Sequence, residues 1–137
     1  MFRTIVVGTD WSNTADIALA KALELGRSNG AAVHVVTAHD PSPAPVVGGS
    51  APPAAGPDFQ ADVALERTLE RLGYRDVDVR QHTSTSEPAE AMLEVARNAG
   101  ADLIVVGNQG MRRRVLGSIP NSVSHRATCD VLIVQTG

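Results

Sequence analysis

The chain has 137 residues, 43% hydrophobic and 20% charged, with a formal net charge of −3. That describes one domain, residues 1–137, able to bury roughly 65–70% of its unfolded surface around a single core. The negative balance argues against a nucleic-acid binder, which carries a basic face, and no apolar run approaches the ~18 residues of a membrane span.

In chain order, the first strand is expected at Thr4–Gly8, and because the N-terminus runs straight into it no signal peptide is expected. Ala15, Ala18, Leu19, Ala22 and Leu25 then fall on one face of a helix from about Asn13 to Ser28. Ser12 or Asn13 is its cap, and Gly26 or Gly30 its stop. A second strand covers Ala32–Ala38. The segment 40–57 holds six of the eight prolines and three glycines without periodicity. It reads as a flexible flap or as a tolerated insertion. Ala61, Leu65, Leu69 and Leu72 mark a second helix that ends near Gly73. Asp76–His82, alternating polar and apolar, reads as a half-exposed edge strand. Pro88 opens a third helix, with Ala89, Met92, Leu93 and Ala96 on one face and Gly100 past its end. Leu103–Gly107 is a fourth strand, about Ser118 to Ala127 a fourth helix, and Val131–Gln135 a fifth strand.

Strands alternating with helices imply right-handed βαβ units, so the fold class is α/β: a doubly wound, mostly parallel five-stranded sheet in the order 3-2-1-4-5 with four helices. Ile5-Val6-Val7 and Leu103–Val106 are apolar throughout and should be central, covered on both faces. Val131-Leu132-Ile133-Val134 is equally apolar yet comes last. At an edge it needs a cover, and a second copy of the chain is the simplest one.

In such a sheet ligands bind beyond the carboxyl ends of the strands, where the order reverses. Here that point lies between the first and fourth strands. Gly8-Thr9-Asp10-Trp11 forms one wall and Gly107-Asn108-Gln109-Gly110 … Gly117-Ser118 the other. A strand, a glycine-bearing loop and a helix start with Pro120 in its first turn make an anion site, which points to phosphate and hence a nucleotide. The P-loop G-x-x-x-x-G-K-[ST] is absent, and no G-x-G-x-x-G follows the first strand. Asp10 has no acidic neighbour with which to hold a metal, as receiver domains do.

These residues resemble the universal stress protein family. The opening Ile5-Val6-Val7-Gly8-Thr9-Asp10-Trp11-Ser12 matches its start. Gly107-x2-Gly110 … Gly117-Ser118-Ile119-Pro120-Asn121-Ser122-Val123 … Cys129-Asp130-Val131-Leu132-Ile133-Val134 matches its close. The resemblance implies a cytoplasmic regulatory protein, not a dedicated enzyme, and a homodimer joined through Val131, Leu132, Ile133 and Val134, with a further protein partner that the sequence does not name. It also implies ATP or another adenine nucleotide as ligand, with or without Mg2+. Gly107, Gly110, Gly117 and Ser118 would then hold the phosphates. Thr9 and Asp10 would lie by the ribose and adenine, Ala38 by the base, and Val106 and Ile119 at further contacts.

The chain departs from the family's G-x2-G-x9-G-[ST] pattern, because six residues separate Gly110 from Gly117 where the pattern has nine. Three residues are worth ~10 Å of extended reach. AMP or cAMP, with one phosphate, suits the shorter link, and the alternative is an interaction module that binds no nucleotide. Arg112, in the run Arg112-Arg113-Arg114, is a phosphate partner or part of a solvated turn. Ser118 is a phosphate hydroxyl or a plain helix cap. Trp11 walls the crevice or packs as a loop aromatic. His34, His39, His82 and His125 lack metal-ligand spacing and read as structural, as does the lone Cys129, which fits a reducing cytoplasm.

Overall fold

The computed structural model describes residues 1–38, 57–108 and 118–136. Nine elements alternate along it: β1 (Thr4–Gly8), α1 (Asn13–Asn29), β2 (Ala32–Ala38), α2 (Pro57–Leu72), β3 (Val79–Ser84), α3 (Pro88–Ala99), β4 (Leu103–Gly107), α4 (Ser118–Arg126) and β5 (Asp130–Val134). The strands form one sheet in the order β3-β2-β1-β4-β5, every neighbouring pair parallel. The doubly wound α/β architecture read from the alternation is therefore the observed one.

The unbroken apolar strands have a simple cause. Each central strand feeds two cores, because successive side chains point to opposite faces. Ile5, Val7, Val33, Val35, Leu103 and Val105 pack under α1 and α2. Val6, Val36, Ile104 and Val106 pack under α3 and α4. The helices are punctuated by their caps. The Ser12 hydroxyl accepts the Ala15 N–H at 3.2 Å, and α1 ends on Gly30 at φ 65°. Gly26, the other candidate stop, lies inside α1. A Cβ there would sit 2.5 Å from Val33 Cγ2, so helix and strand meet at this glycine.

Both edge strands differ from expectation at each end, β3 running Val79–Ser84 rather than Asp76–His82 and β5 Asp130–Val134 rather than Val131–Gln135. β3 begins at Val79 rather than Asp76. The Val77 N–H turns back to the Tyr74 carbonyl, and Arg27 takes the Asp76 carboxylate, so these residues approach the sheet without joining it. The strand does run along an edge, with no residue fully buried. β5 begins one residue early, at Asp130, on the other edge. Its Val131 and Leu132 are half-buried and Ile133 is exposed. Of the expected 40–57 loop, Pro57 opens α2 and the rest lies outside the described residues.

Candidate functional site

The carboxyl ends of β1, β2 and β4 open into a cavity of about 390 Å³, closed on its other sides by the starts of α1, α3 and α4. The β1–α1 connection shapes one wall. Thr9 is buried, its N–H donates to the Val36 carbonyl at 3.0 Å, and its Oγ1 accepts the Trp11 N–H at 2.9 Å. Asp10 stays exposed, and one carboxylate oxygen accepts the Ser12 N–H at 2.9 Å. Directly after Asp10, Trp11 adopts φ 64°, a conformation that costs a bulky residue on the order of 1 kcal/mol. The Thr9 hydroxyl and the packing of the indole against the α1/α2 core hold it there. Trp11 is thus a packed loop aromatic, and the strained turn delivers Thr9 and Asp10 to the cavity.

Thr9, Asp10, Ala38, Val106, Gly107, Ser118 and Ile119 all line this one space. Gly110, Arg112 and Gly117 lie outside the described residues, as do the rest of the arginine run and His39. The cavity is apolar where Val36, Ala38, Val106 and Met92 meet. Hydroxyls of Thr9, Thr14, Ser118 and Thr136 and the Asp10 carboxylate are its polar groups among the described residues. α4 opens at Ser118 with no acidic residue in its first turn, so no carboxylate of that turn competes with an anion for the positive end of its dipole. Among the described residues no group of three or more His, Cys, Asp or Glu is placed to hold a metal ion.

Thr136 and Met92 were not foreseen as site residues. Thr136, buried two residues past β5, donates its N–H and its hydroxyl to the same Asn108 oxygen, at 2.8 and 2.9 Å. Asn108 in turn donates its N–H to the Val134 carbonyl. This clasp sets the direction in which the chain leaves β4. It also gives Gly107 a packing reason, because a Cβ there would lie 3.0 Å from the Thr136 methyl. Met92, on α3, faces Gly8 in the same way, its sulfur 2.6 Å from where a Cβ would stand. The only signal for Thr136 was its place after a parallel strand, at the end of the sheet where the other site residues lie.

Cys129 is half-buried, and burial, reinforced by Asp130 and Asp102, pushes its thiol above the ordinary value. That favours the unreactive protonated form.

Five parallel strands with helices on both faces and a crevice at the switch between β1 and β4 define a doubly wound α/β domain. Within that class the chain belongs to the universal stress protein family, whose profile matches residues 1–135. It is similar to a universal stress protein of Mycobacterium tuberculosis, 30% identical over 144 residues that cover 98% of this chain and 97% of the relative. Universal stress protein A homolog 1 of Coxiella burnetii is 31% identical over 147 residues, covering 97% and 96%. Among solved structures, a universal stress protein in complex with cAMP superposes with a TM-score of 0.77 at 29% identity, covering 99% of this chain and 98% of that one. Proteins of this family are generally regulatory stress proteins rather than enzymes. No helix among the described residues is long and apolar enough to cross a membrane.

Proposed function

We propose that this chain is a cytoplasmic regulatory protein whose cavity binds an adenine nucleotide carrying a single phosphate, AMP or cAMP in preference to ATP. The observation that carries the reading is the convergence on one cavity of an apolar pocket, a set of hydroxyls and one helix N-terminus. The base lies against Val36, Ala38 and Val106, the ribose beside Thr9 and Asp10, and the phosphate at Ser118. The cavity volume suits one small ligand. The short link between Gly110 and Gly117 favours one phosphate over three, and the similar structure in complex with cAMP supports the ligand class. Mg2+ has no part in this reading, since a single phosphate held by N–H groups needs no cation. Binding regulates by favouring one of two conformations, which requires different affinities for the two.

The half-exposed apolar edge of β5 favours a second element of the reading, a homodimer paired through Val131–Val134. The same edge would serve an interaction module that binds no nucleotide but docks a protein partner.

Trp11, the only tryptophan, follows Asp10 in the strained β1–α1 connection, and its emission reads a change in that turn without a label. Fluorescence titration of nucleotide-stripped protein with AMP, cAMP and ATP should show AMP or cAMP binding at least about tenfold tighter than ATP, a difference of about 1.4 kcal/mol. Tighter binding of ATP would replace this reading with a triphosphate clamp. Absence of binding to all three, checked by calorimetry, would leave the interaction module.

A further inference from the structure

His34 lies on β2 and His82 on β3, 48 residues apart in sequence. The ladder sets Arg80 opposite His34 and His82 opposite Val36, so the two imidazoles are diagonal neighbours. Both point to the face covered by α3, since Val33 and Val35 point to the other. His34 Nδ1 and His82 Nε2 are 2.7 Å apart, with ring centroids at 5.0 Å and planes 21° apart.

That distance requires one proton between the two nitrogens, one ring donating and the other accepting. A neutral pair satisfies it, and so does a pair carrying one extra proton on an outer nitrogen. Two imidazolium rings do not. Each would present an N–H to the other, with like charges in contact. His34 is only 8% exposed and sits in a strand bonded on both sides, so it cannot turn to water. β3 is the outermost strand of the sheet, paired with β2 among the described strands, and is the part able to move.

We propose that His34 and His82 form a proton-sensitive latch that holds edge strand β3 on the sheet and releases it when both rings are protonated. The surroundings favour the latched form at neutral pH. Burial is the main cause holding both imidazoles below their ordinary value of 6.5, and Arg80 lowers both further. Repulsion between the rings also lowers His34, and Asp78 opposes this. Arg80 and Asp78 are themselves ion-paired at 3.5 Å. α3, packed on this face, buries Ala89, Ala91, Met92, Leu93 and Ala96, none of them charged, and β1 sets Val6 opposite His34.

The sign follows from proton linkage. Above pH 6.5 neither the closed nor the opened strand carries the extra protons, and the latch holds. Below it the opened strand binds protons that the closed strand refuses, so closure weakens as pH falls. Release would bare the outer edge of β2 at Val36 and Ala38, which pair with His82 and Ser84 and also line the cavity. The latch stands whether or not a nucleotide binds there.

Hydrogen exchange of the full chain tests it, with β4 as the internal reference. From about pH 7.5 to about pH 5.5, protection of the β3 amides relative to β4 should fall about tenfold, the ratio of protonated to neutral form of an exposed imidazole when the pH is about one unit below 6.5. In the double variant His34→Gln/His82→Gln, which keeps hydrogen-bonding groups but does not titrate, the ratio should be flat, and in His82→Gln, where only the burial of His34 remains, the fall should be smaller than in the native chain. A flat ratio in the native chain, or an equal fall in either variant, would overturn the latch. Should the variants not fold, ring NMR of the native chain decides. Two coupled protonation steps displaced below 6.5 support the proposal, and two independent titrations at the ordinary value refute it.

Discussion

The two ends of the sheet are built for different tasks. At the amino end the starts of β1, β2, β3 and β4 are tied down. The Asp102 carboxylate, just before β4, accepts the N–H groups of Arg3 at 2.9 Å and Thr4 at 3.1 Å. Asn29 accepts the N–H of Phe2. Arg27 joins α1 to Asp76 and lies 4.4 Å over the Tyr74 ring. Gly30 and Gly100 end their helices in left-handed turns that feed β2 and β4. At the carboxyl end the chain instead forms a cavity, with the strained turn at Trp11 beside it and the start of α4 on its lining. Backbone groups satisfied at one end stabilise the fold, and groups lining a cavity at the other can bind.

A pair of glycines breaks this comparison most sharply. Gly26 is near the amino end, where an added Cβ meets stiff, fully buried Val33. Gly26→Val should lower unfolding free energy by about 3 kcal/mol through overpacking. The folded fraction should still bind ligand, as chemical denaturation and titration together would show. Gly8→Ala brings its Cβ against the flexible end of Met92, which can swing away but lines the cavity. Its stability should change by less than about 1 kcal/mol, while calorimetry should show nucleotide affinity falling about tenfold, or about 1.4 kcal/mol.

Next in size is Asp102→Asn, which should cost about 1 kcal/mol and leave binding untouched. Partial burial pushes the Asp102 carboxyl up, but the N–H groups of Arg3 and Thr4 outweigh this and hold it below its ordinary 3.8. Its contribution is therefore complete above that value and is lost as pH falls through the lowered one. The stability gap between native and variant chains should close in denaturant melts at low pH. The smallest effect belongs to Thr136→Val, which keeps the methyl on Gly107 and removes one donor to Asn108. Affinity should drop about threefold, with a thermal midpoint within a few degrees of native.

How much of this was legible in the sequence follows from how local each cause is. β1 and β4 could be read directly, because a strand buried on both faces must be apolar at every position. The Ser12 cap and the Gly30 and Gly100 stops are equally local. The start of β3 was not, since Asp76 fits the alternation and only Arg27, 49 residues away, draws it off the sheet. Trp11 carries no sequence mark of its positive φ. Thr136 enters the site through Asn108, and His34 meets His82 only because β3 lies beside β2. Such contacts depend on the completed sheet.

The most direct test of the account is amide chemical-shift mapping of the full chain as cAMP is added. The account predicts shifts at Thr9, Ala38, Gly107 and Ser118, with Arg3, Gly30 and Asp102 at the opposite end unmoved. Shifts confined to the amino end, or none at saturating ligand, would contradict it.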